Sequence, residues 1–177
     1  MPENYTMSAW KVNLWAIPLT ILQVVLWALP LLLILGRESW LQALGSNYLQ
    51  IPYFLLILIL GSVLHEFLHA LGFLLLGRIK LSDLKLGIIW RYLTPYAHCK
   101  IAVSARVYRF ALLLPYLLLG ILPVMLSYLF SLVWLNIYGT IFCLLAGGDL
   151  LVFWLIRRVQ SEEKLLDHPN LCGCQKV

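Results

Sequence analysis

Four long apolar stretches constrain the fold of this chain more than any other feature of its sequence. A helix needs about 20 mainly apolar residues to cross the hydrocarbon core of a bilayer. Stretches of that length lie at about residues 14–35, 51–77, 108–130 and 136–157. Of the 177 residues, 62% are hydrophobic and 12% are charged, a balance typical of membrane proteins. The sequence therefore predicts a single all-α integral membrane domain over residues 1–177, a bundle of four transmembrane helices.

The distribution of Lys and Arg orients these helices, because short cytoplasmic loops carry most of the basic residues. Residues 78–109 contain seven basic residues, Arg91 among them, and one acidic residue, Asp83. We therefore expect the loop at 78–107 and the tail at 158–177 to be cytoplasmic. The N-terminus should lie on the same side, because the number of crossings is even. This distribution accounts for the net charge of +5, and no pattern indicates nucleic-acid binding.

The predicted topology is that of a multi-pass protein of the cell membrane. The first apolar stretch is longer than the core of a secretory signal peptide, so we expect Met1 to remain in the mature protein.

Three ionisable residues lie inside the second apolar stretch, where burial is costly unless a partner, water or a metal compensates. His65 and His69 are four residues apart, so they project from one face of a helix about one turn apart. With Glu66 they form H-E-x-x-H, the zinc-hydrolase signature in which two histidines bind Zn²⁺ and the glutamate is the general base. A hydrogen-bonded cluster between helices, without a metal, is the alternative.

A catalytic zinc site needs a third protein ligand, and Asp149 is the candidate because it is the other acidic residue within an apolar stretch. His69 lies nine residues before Arg78, where its helix ends. Asp149 lies eight before Arg157, so both would sit roughly 12 to 14 Å from the cytoplasmic ends of parallel helices. The two preceding glycines would let these helices approach closely. A lone aspartate that pairs helices is the alternative.

Several short motifs carry a resemblance to a known family. They are His65-Glu66-Phe67-Leu68-His69-Ala70, Ala97-His98-Cys99, Leu114-Pro115, Gly120-Ile121-Leu122-Pro123, Gly148-Asp149-Leu150 and Asp167-His168-Pro169. From about Ile51 to its end, the chain resembles the bacterial integral membrane proteins described as putative zincin membrane peptidases. More distantly it is similar to site-2 proteases, intramembrane metalloproteases with H-E-x-x-H in one helix and Asp in a later one. Their Asp is usually followed by Gly, whereas here the glycines precede Asp149.

The resemblance implies a zinc-dependent endopeptidase that cleaves membrane-associated protein substrates within the bilayer. Zn²⁺ held by His65, His69 and Asp149 would polarise the scissile carbonyl, and Glu66 would act as general base. Two other functions remain open. One is a membrane transporter or metal-binding protein that uses the same ligands without needing Glu66. The other is an inactive homologue that binds membrane partners without cleaving them.

The loop at 78–107 contains the only strands that the sequence predicts. Leu84, Leu86 and Ile88 alternate with more polar residues, and a second stretch follows at Tyr96 to Val103. This pattern predicts a short β-hairpin near the site, whose edge could hold an extended substrate. An amphipathic segment at the membrane surface is the alternative. His98 in the second stretch is a candidate contact to the oxyanion or a substrate carbonyl, and otherwise an interfacial histidine.

The tail contains side chains that could bind a metal, namely Asp167, His168, Cys172 and Cys174. C-x-C is a weak signal, and the end of the tail could be loosely ordered. We expect the thiols on the cytoplasmic side to be reduced.

Overall fold

The computed structural model describes residues 4–45, 50–89, 94–168 and 171–177. Met1, Arg91 and Pro169 therefore lie outside the described residues. The described chain is mainly helical and also contains two small antiparallel sheets.

The helices follow the apolar stretches of the sequence. They are α1 (Ala9–Trp27), α2 (Leu29–Gly45), α3 (Gln50–Gly77), α4 (Ala105–Pro115), α5 (Leu122–Phe130), α6 (Val133–Leu145) and α7 (Gly147–Ile156). A π-helical segment, Tyr116–Ile121, joins α4 to α5. Within the described residues, three stretches are long and apolar enough to cross a membrane: α1, α3, and the continuous run of α4, the π-helical segment and α5. The bent pair of α6 and α7 makes a fourth if it counts as one crossing.

The two central crossings agree closely with the sequence prediction. The second was predicted at 51–77, and α3 contains an apolar span from Ile51 to Gly77. The third was predicted at 108–130, and the span made by α4, the π-helical segment and α5 covers Ala105–Phe130. Pro115 and Pro123 are accommodated because they lie at the two ends of the π-helical segment, where helix geometry changes.

The first and fourth crossings were predicted as single helices, and this is wrong in detail. The first stretch, 14–35, is divided at Ala28 between α1 and α2, and α2 is itself kinked at Gly36, whose φ of +77° is a conformation that glycine adopts easily. The fourth, 136–157, is broken at Ala146, where α6 and α7 meet at 46°. Two glycines in succession weaken a continuous helix at this point.

The strands form a hairpin and a separate four-stranded sheet. They are β1 (Asn4–Met7), β2 (Leu84–Ile89), β3 (Thr94–Cys99), β4 (Val103–Ser104), β5 (Lys164–Asp167) and β6 (Cys172–Lys176). The hairpin of β2 and β3 was predicted and is confirmed, with Leu84 opposite Cys99 and Leu86 opposite Ala97. The bounds of its second strand were wrong, because β3 ends at Cys99 and Val103 belongs to β4 of the other sheet. The second sheet has the order β1-β6-β5-β4, and all its neighbours are antiparallel.

The four-stranded sheet corrects the prediction of an all-α fold with a loose tail. Its strands contain only two to five residues and come from both ends and the middle of the chain, so none shows a long alternating pattern. Leu165 and Cys174 are fully buried in a core that includes Phe73 of α3, Tyr108 of α4 and Ile156 of α7. The sheet therefore closes one end of the helical bundle, and the tail is part of the packed protein.

Candidate active site

The H-E-x-x-H residues occupy the buried side of α3. His65 and His69 are 8% and 7% exposed. The Nε2 atoms of the two imidazoles lie 3.1 Å apart, so both rings converge on one point as the four-residue spacing predicts. Glu66 and the two histidines form a compact group in which one candidate ligand atom from each residue lies within 4.8 Å of the others.

The carboxylate of Asp149 meets these histidines. Its Oδ2 lies 3.1 Å from Nε2 of His65, and its Oδ1 lies 3.4 Å from Nε2 of His69. The break at Ala146 makes Asp149 the third residue of α7, in the first turn of a new helix. Helix N-termini stabilise negative charge, so the break places this carboxylate where the backbone favours its ionised form.

The two glycines before Asp149 do not have the close-packing role expected for them. A Cβ at Gly148 would meet no atom within 4 Å, and one at Gly147 would meet Leu19 at an ordinary 3.7 Å. Close approach occurs instead at Gly72, where a Cβ would lie 2.8 Å from the Cα of Ala111. Gly72 therefore lets α3 lie directly against α4 one turn from His69.

The contact between α3 and α4 orients His69. Its Nδ1 lies 2.8 Å from the carbonyl oxygen of Ala111, so Nδ1 carries the proton and donates it to that bond. In the neutral ring, Nε2 then has a lone pair directed at His65 and Asp149. A metal-binding histidine is commonly held in this way through its other nitrogen.

The donor set fits a zinc ion. Ligands at zinc's usual distances in a tetrahedral site are about 3.3 Å apart. The three separations among His65, His69 and Asp149 are 3.1, 3.1 and 3.4 Å. Nε2 of neutral His69 and both oxygens of ionised Asp149 are acceptors, and placing acceptors this close favours a shared cation. These three side chains could therefore hold a metal, with Glu66 beside them.

The hairpin fixes Glu66 in place. The backbone N–H of Ala97 in β3 donates to Oε2 of Glu66 at 2.8 Å. This amide lies on the edge of β3 that faces α3, so the carboxylate occupies a position at which an added strand would place a carbonyl.

A cavity of about 480 Å³ joins this cluster to the strands. Glu66, His69 and Asp149 line it from the helices. Its other walls include Tyr96, Ala97 and His98 of β3 and Asp167, His168, Leu171, Cys172 and Gly173 of the C-terminal segment. The site is therefore shared between the apolar helices and the strands at the end of the bundle.

The sequence indicated Asp167 only as a possible metal ligand of the tail and did not predict its contacts in this cavity. It accepts hydrogen bonds from the Tyr108 hydroxyl and from the backbone N–H of Cys99, the latter at 2.7 Å. Nδ1 of His98 lies 3.3 Å from its Oδ2. Burial raises the pKa of the Asp167 carboxyl above its ordinary value, and the donors from Tyr108 and Cys99 partly offset this. The Asp167-His168-Pro169 motif was the available signal, but it did not reveal these partners.

The tail cysteines do not join Asp167 and His168 in a second metal cluster among the described residues. Cys174 is buried in the core, and burial raises the pKa of its thiol to about 12. Cys172 is exposed and lines the cavity, while His168 accepts a hydrogen bond from the backbone N–H of Leu171.

Comparison with known proteins gives one result, at the level of the family. The model of the family described as putative zincin peptidase matches residues 58–163, which include His65, Glu66, His69, His98 and Asp149. No curated protein and no solved structure matches the chain. The family model covers more than half of the sequence and includes the whole metal cluster. The chain therefore belongs to the putative zincin peptidase family.

Proposed function

We propose that this protein is an intramembrane zinc metalloprotease of the site-2 protease type that hydrolyses peptide bonds of membrane-associated proteins. The observation that supports this most directly is the convergence of His65, His69 and Asp149, whose candidate ligand atoms are 3.1 to 3.4 Å apart. The family of the chain and the cavity beside Glu66 support the same function.

The roles of the side chains follow from their positions. His65, His69 and Asp149 would hold the zinc ion, which when bound polarises a carbonyl and acidifies a water. Glu66 takes a proton from the attacking water and later delivers it to the leaving amine. The N–H of Ala97 keeps one oxygen of Glu66 fixed, so the other stays directed at the reaction. The bond from His69 to Ala111 maintains the tautomer in which Nε2 is the ligand.

We expect the entrance of the site to lie at the end of the bundle that the four-stranded sheet closes. β1 pairs with β6, so the first and last described strands lie side by side, and β4 is in the same sheet. This supports termini and a basic loop on one side of the membrane, which we assign to the cytoplasm on the basis of its Lys and Arg content. Water and cleaved product would pass through the cavity on that side.

The hairpin acts mainly as a positioning element. The amides of Ala97 and Cys99, on the edge of β3 nearest the site, already donate to Glu66 and Asp167. A substrate strand added to this edge would place its carbonyls against two carboxylates. We therefore expect an extended substrate to lie in the cavity without forming a full backbone ladder with β3.

The test is cleavage by the full-length protein, loaded with zinc in lipid nanodiscs, of a proteome-derived peptide library, with new termini mapped by mass spectrometry. Glu66→Gln is the matched variant, because it keeps the shape of the side chain and removes the base. We expect zinc to stay bound and kcat to fall by about 10²–10⁴-fold. If the wild type cleaves no peptide and Glu66→Gln still carries zinc into liposomes, the result would instead support a metal transporter. Partner binding without cleavage or transport would indicate an inactive homologue.

A further inference from the structure

We propose that His98 binds the carbonyl oxygen of the substrate during hydrolysis and that Asp167 is the residue that positions His98. This inference rests on the proposed function, because it assigns two more residues of the same cavity to the same reaction. Asp167 lies beyond residues 58–163, the part of the chain that the family model matches. It therefore extends the site into the C-terminal sheet.

Asp167 is mostly shielded from solvent and is surrounded by hydrogen-bonding partners. Its side chain is 13% exposed. The Tyr108 hydroxyl of α4 binds one oxygen, while the N–H of Cys99 and Nδ1 of His98, both of β3, face the other. An ionised carboxylate accepts and does not donate, so each of these groups acts as a donor. The carboxylate of β5 thus joins α4 to β3.

The same contacts determine how His98 presents its ring. Nδ1 faces Asp167, so Nε2 on the other side of the imidazole is the nitrogen available to a substrate. His98 lines the cavity that also contains Glu66, His69 and Asp149. In its imidazolium form the ring donates from Nε2 while Nδ1 remains bonded to the carboxylate. A donor directed at the developing oxyanion is among the strongest contributions to acyl-transfer catalysis.

A single strand, β3, holds both Glu66 and Asp167 in place. Ala97 and Cys99 are two residues apart, so their amides lie on the same edge of β3. The first binds Glu66 and the second binds Asp167. The base and His98 are therefore fixed relative to each other through a few atoms of backbone. This arrangement is what a reaction needs when its water and its carbonyl must be held together.

The test measures kinetics on the peptide that the wild type cleaves best. We expect His98→Ala to lower kcat by about 10²–10³-fold with little change in KM, the size of a lost oxyanion donor. Asp167→Asn should lower kcat by roughly tenfold or more, because it removes the carboxylate that orients the ring. Added imidazole should restore part of the activity of His98→Ala but none of that of Glu66→Gln. Asp167→Asn should cause little further loss in a His98→Ala background.

Controls separate this role from a structural one. Glu163→Gln removes an acid of the same C-terminal segment that pairs with Lys176, and it should leave kcat unchanged. Zinc content should be the same in every variant. If Asp167→Asn does not fold, Asp167→Glu keeps the charge, moves the carboxylate by one methylene, and should also lower kcat.

The outcomes distinguish the two proposals. Cleavage by the wild type with normal kcat in His98→Ala would overturn the inference alone, as would zinc loss from that variant. An unimpaired Asp167→Asn, or an equal loss in the His98→Ala background, would remove Asp167 from its positioning role. Absence of cleavage by the zinc-loaded wild type would overturn both the proposed function and this inference.

Discussion

The two halves of the cavity are built in different ways. The helical half carries Glu66 and His69 on α3 and Asp149 on α7, and His65 lies next to them. The strand half carries His98 on β3 and Asp167 on β5, and these two interacting residues are far apart in sequence. Local spacing along α3 sets the separation of His65 and His69, whereas the packing of α7 brings Asp149 to them. The strand half is held by partly buried hydrogen bonds to Asp167 that form only when distant segments pack together.

The largest expected effect concerns the helical half. His69→Ala and Asp149→Ala should each abolish tight zinc binding and hydrolysis, because each removes one of three proposed ligands and leaves the others without a shared cation. The measurement is zinc per chain by plasma mass spectrometry after dialysis against a weak chelator. His168→Ala is the control, since His168 lines the cavity outside the metal cluster. If both ligand variants retain zinc, the helical half does not hold the metal and the two halves do not differ in this way.

A second prediction tests how the helices hold the ligands. Gly72→Leu should lower the free energy of unfolding by about 3 kcal/mol or more, because its side chain would collide with the backbone of Ala111. The collision should push α4 away from α3 and so also lower zinc affinity, since the carbonyl of Ala111 orients His69. Unfolding in detergent and competition with a zinc dye measure the two effects. Gly148→Ala, with open space around its Cβ, should not reduce stability, and equal losses in both variants would contradict this explanation.

A third prediction concerns the strand half. Tyr108→Phe removes one donor to the buried Asp167 and should cost about 1.5–3 kcal/mol of unfolding free energy. Zinc content should be unchanged, because the Tyr108 hydroxyl donates to Asp167, which is not one of the proposed zinc ligands. Thermal unfolding in detergent and metal analysis are the measurements. Loss of zinc in Tyr108→Phe would show that the two halves are not separable.

The smallest effect tests whether the C-terminal segment is folded. Maleimide should label Cys172, which is exposed, and should spare Cys174 until the protein unfolds. Cys174 is buried and the pKa of its thiol is raised to about 12, so little reactive thiolate exists at neutral pH. Mass spectrometry of labelled peptides distinguishes the two. Equal labelling of the two cysteines under native conditions would show that the tail is loosely ordered and not part of the packed sheet.

The parts of the fold that sequence predicted are those with local causes. Hydropathy located α3 because 27 consecutive residues are apolar enough to span a membrane, and alternation located β2. The spacing of His65 and His69 predicted their convergence for the same reason. Asp149 was also found from the sequence, since a carboxylate in an apolar stretch is conspicuous.

The rest depends on contacts between distant segments. The break at Ala146 and the kink at Gly36 follow from glycines, but nothing local shows that a helix will bend at one glycine and pack tightly at another. The pairing of β1 with β6 joins residues near opposite ends of the chain. Asp167 acquires its role only through β3 and α4, so its surroundings could not be read from the tail.

X-ray absorption at the zinc edge tests the central claim most directly. For the zinc-loaded wild type in nanodiscs, we predict one zinc per chain, with two imidazole nitrogens and oxygen as neighbours at about 2.0–2.2 Å. His65→Ala should bind substoichiometric zinc with a loss of imidazole scattering. A wild-type protein that binds no zinc, or a zinc environment unchanged in His65→Ala, would contradict the account.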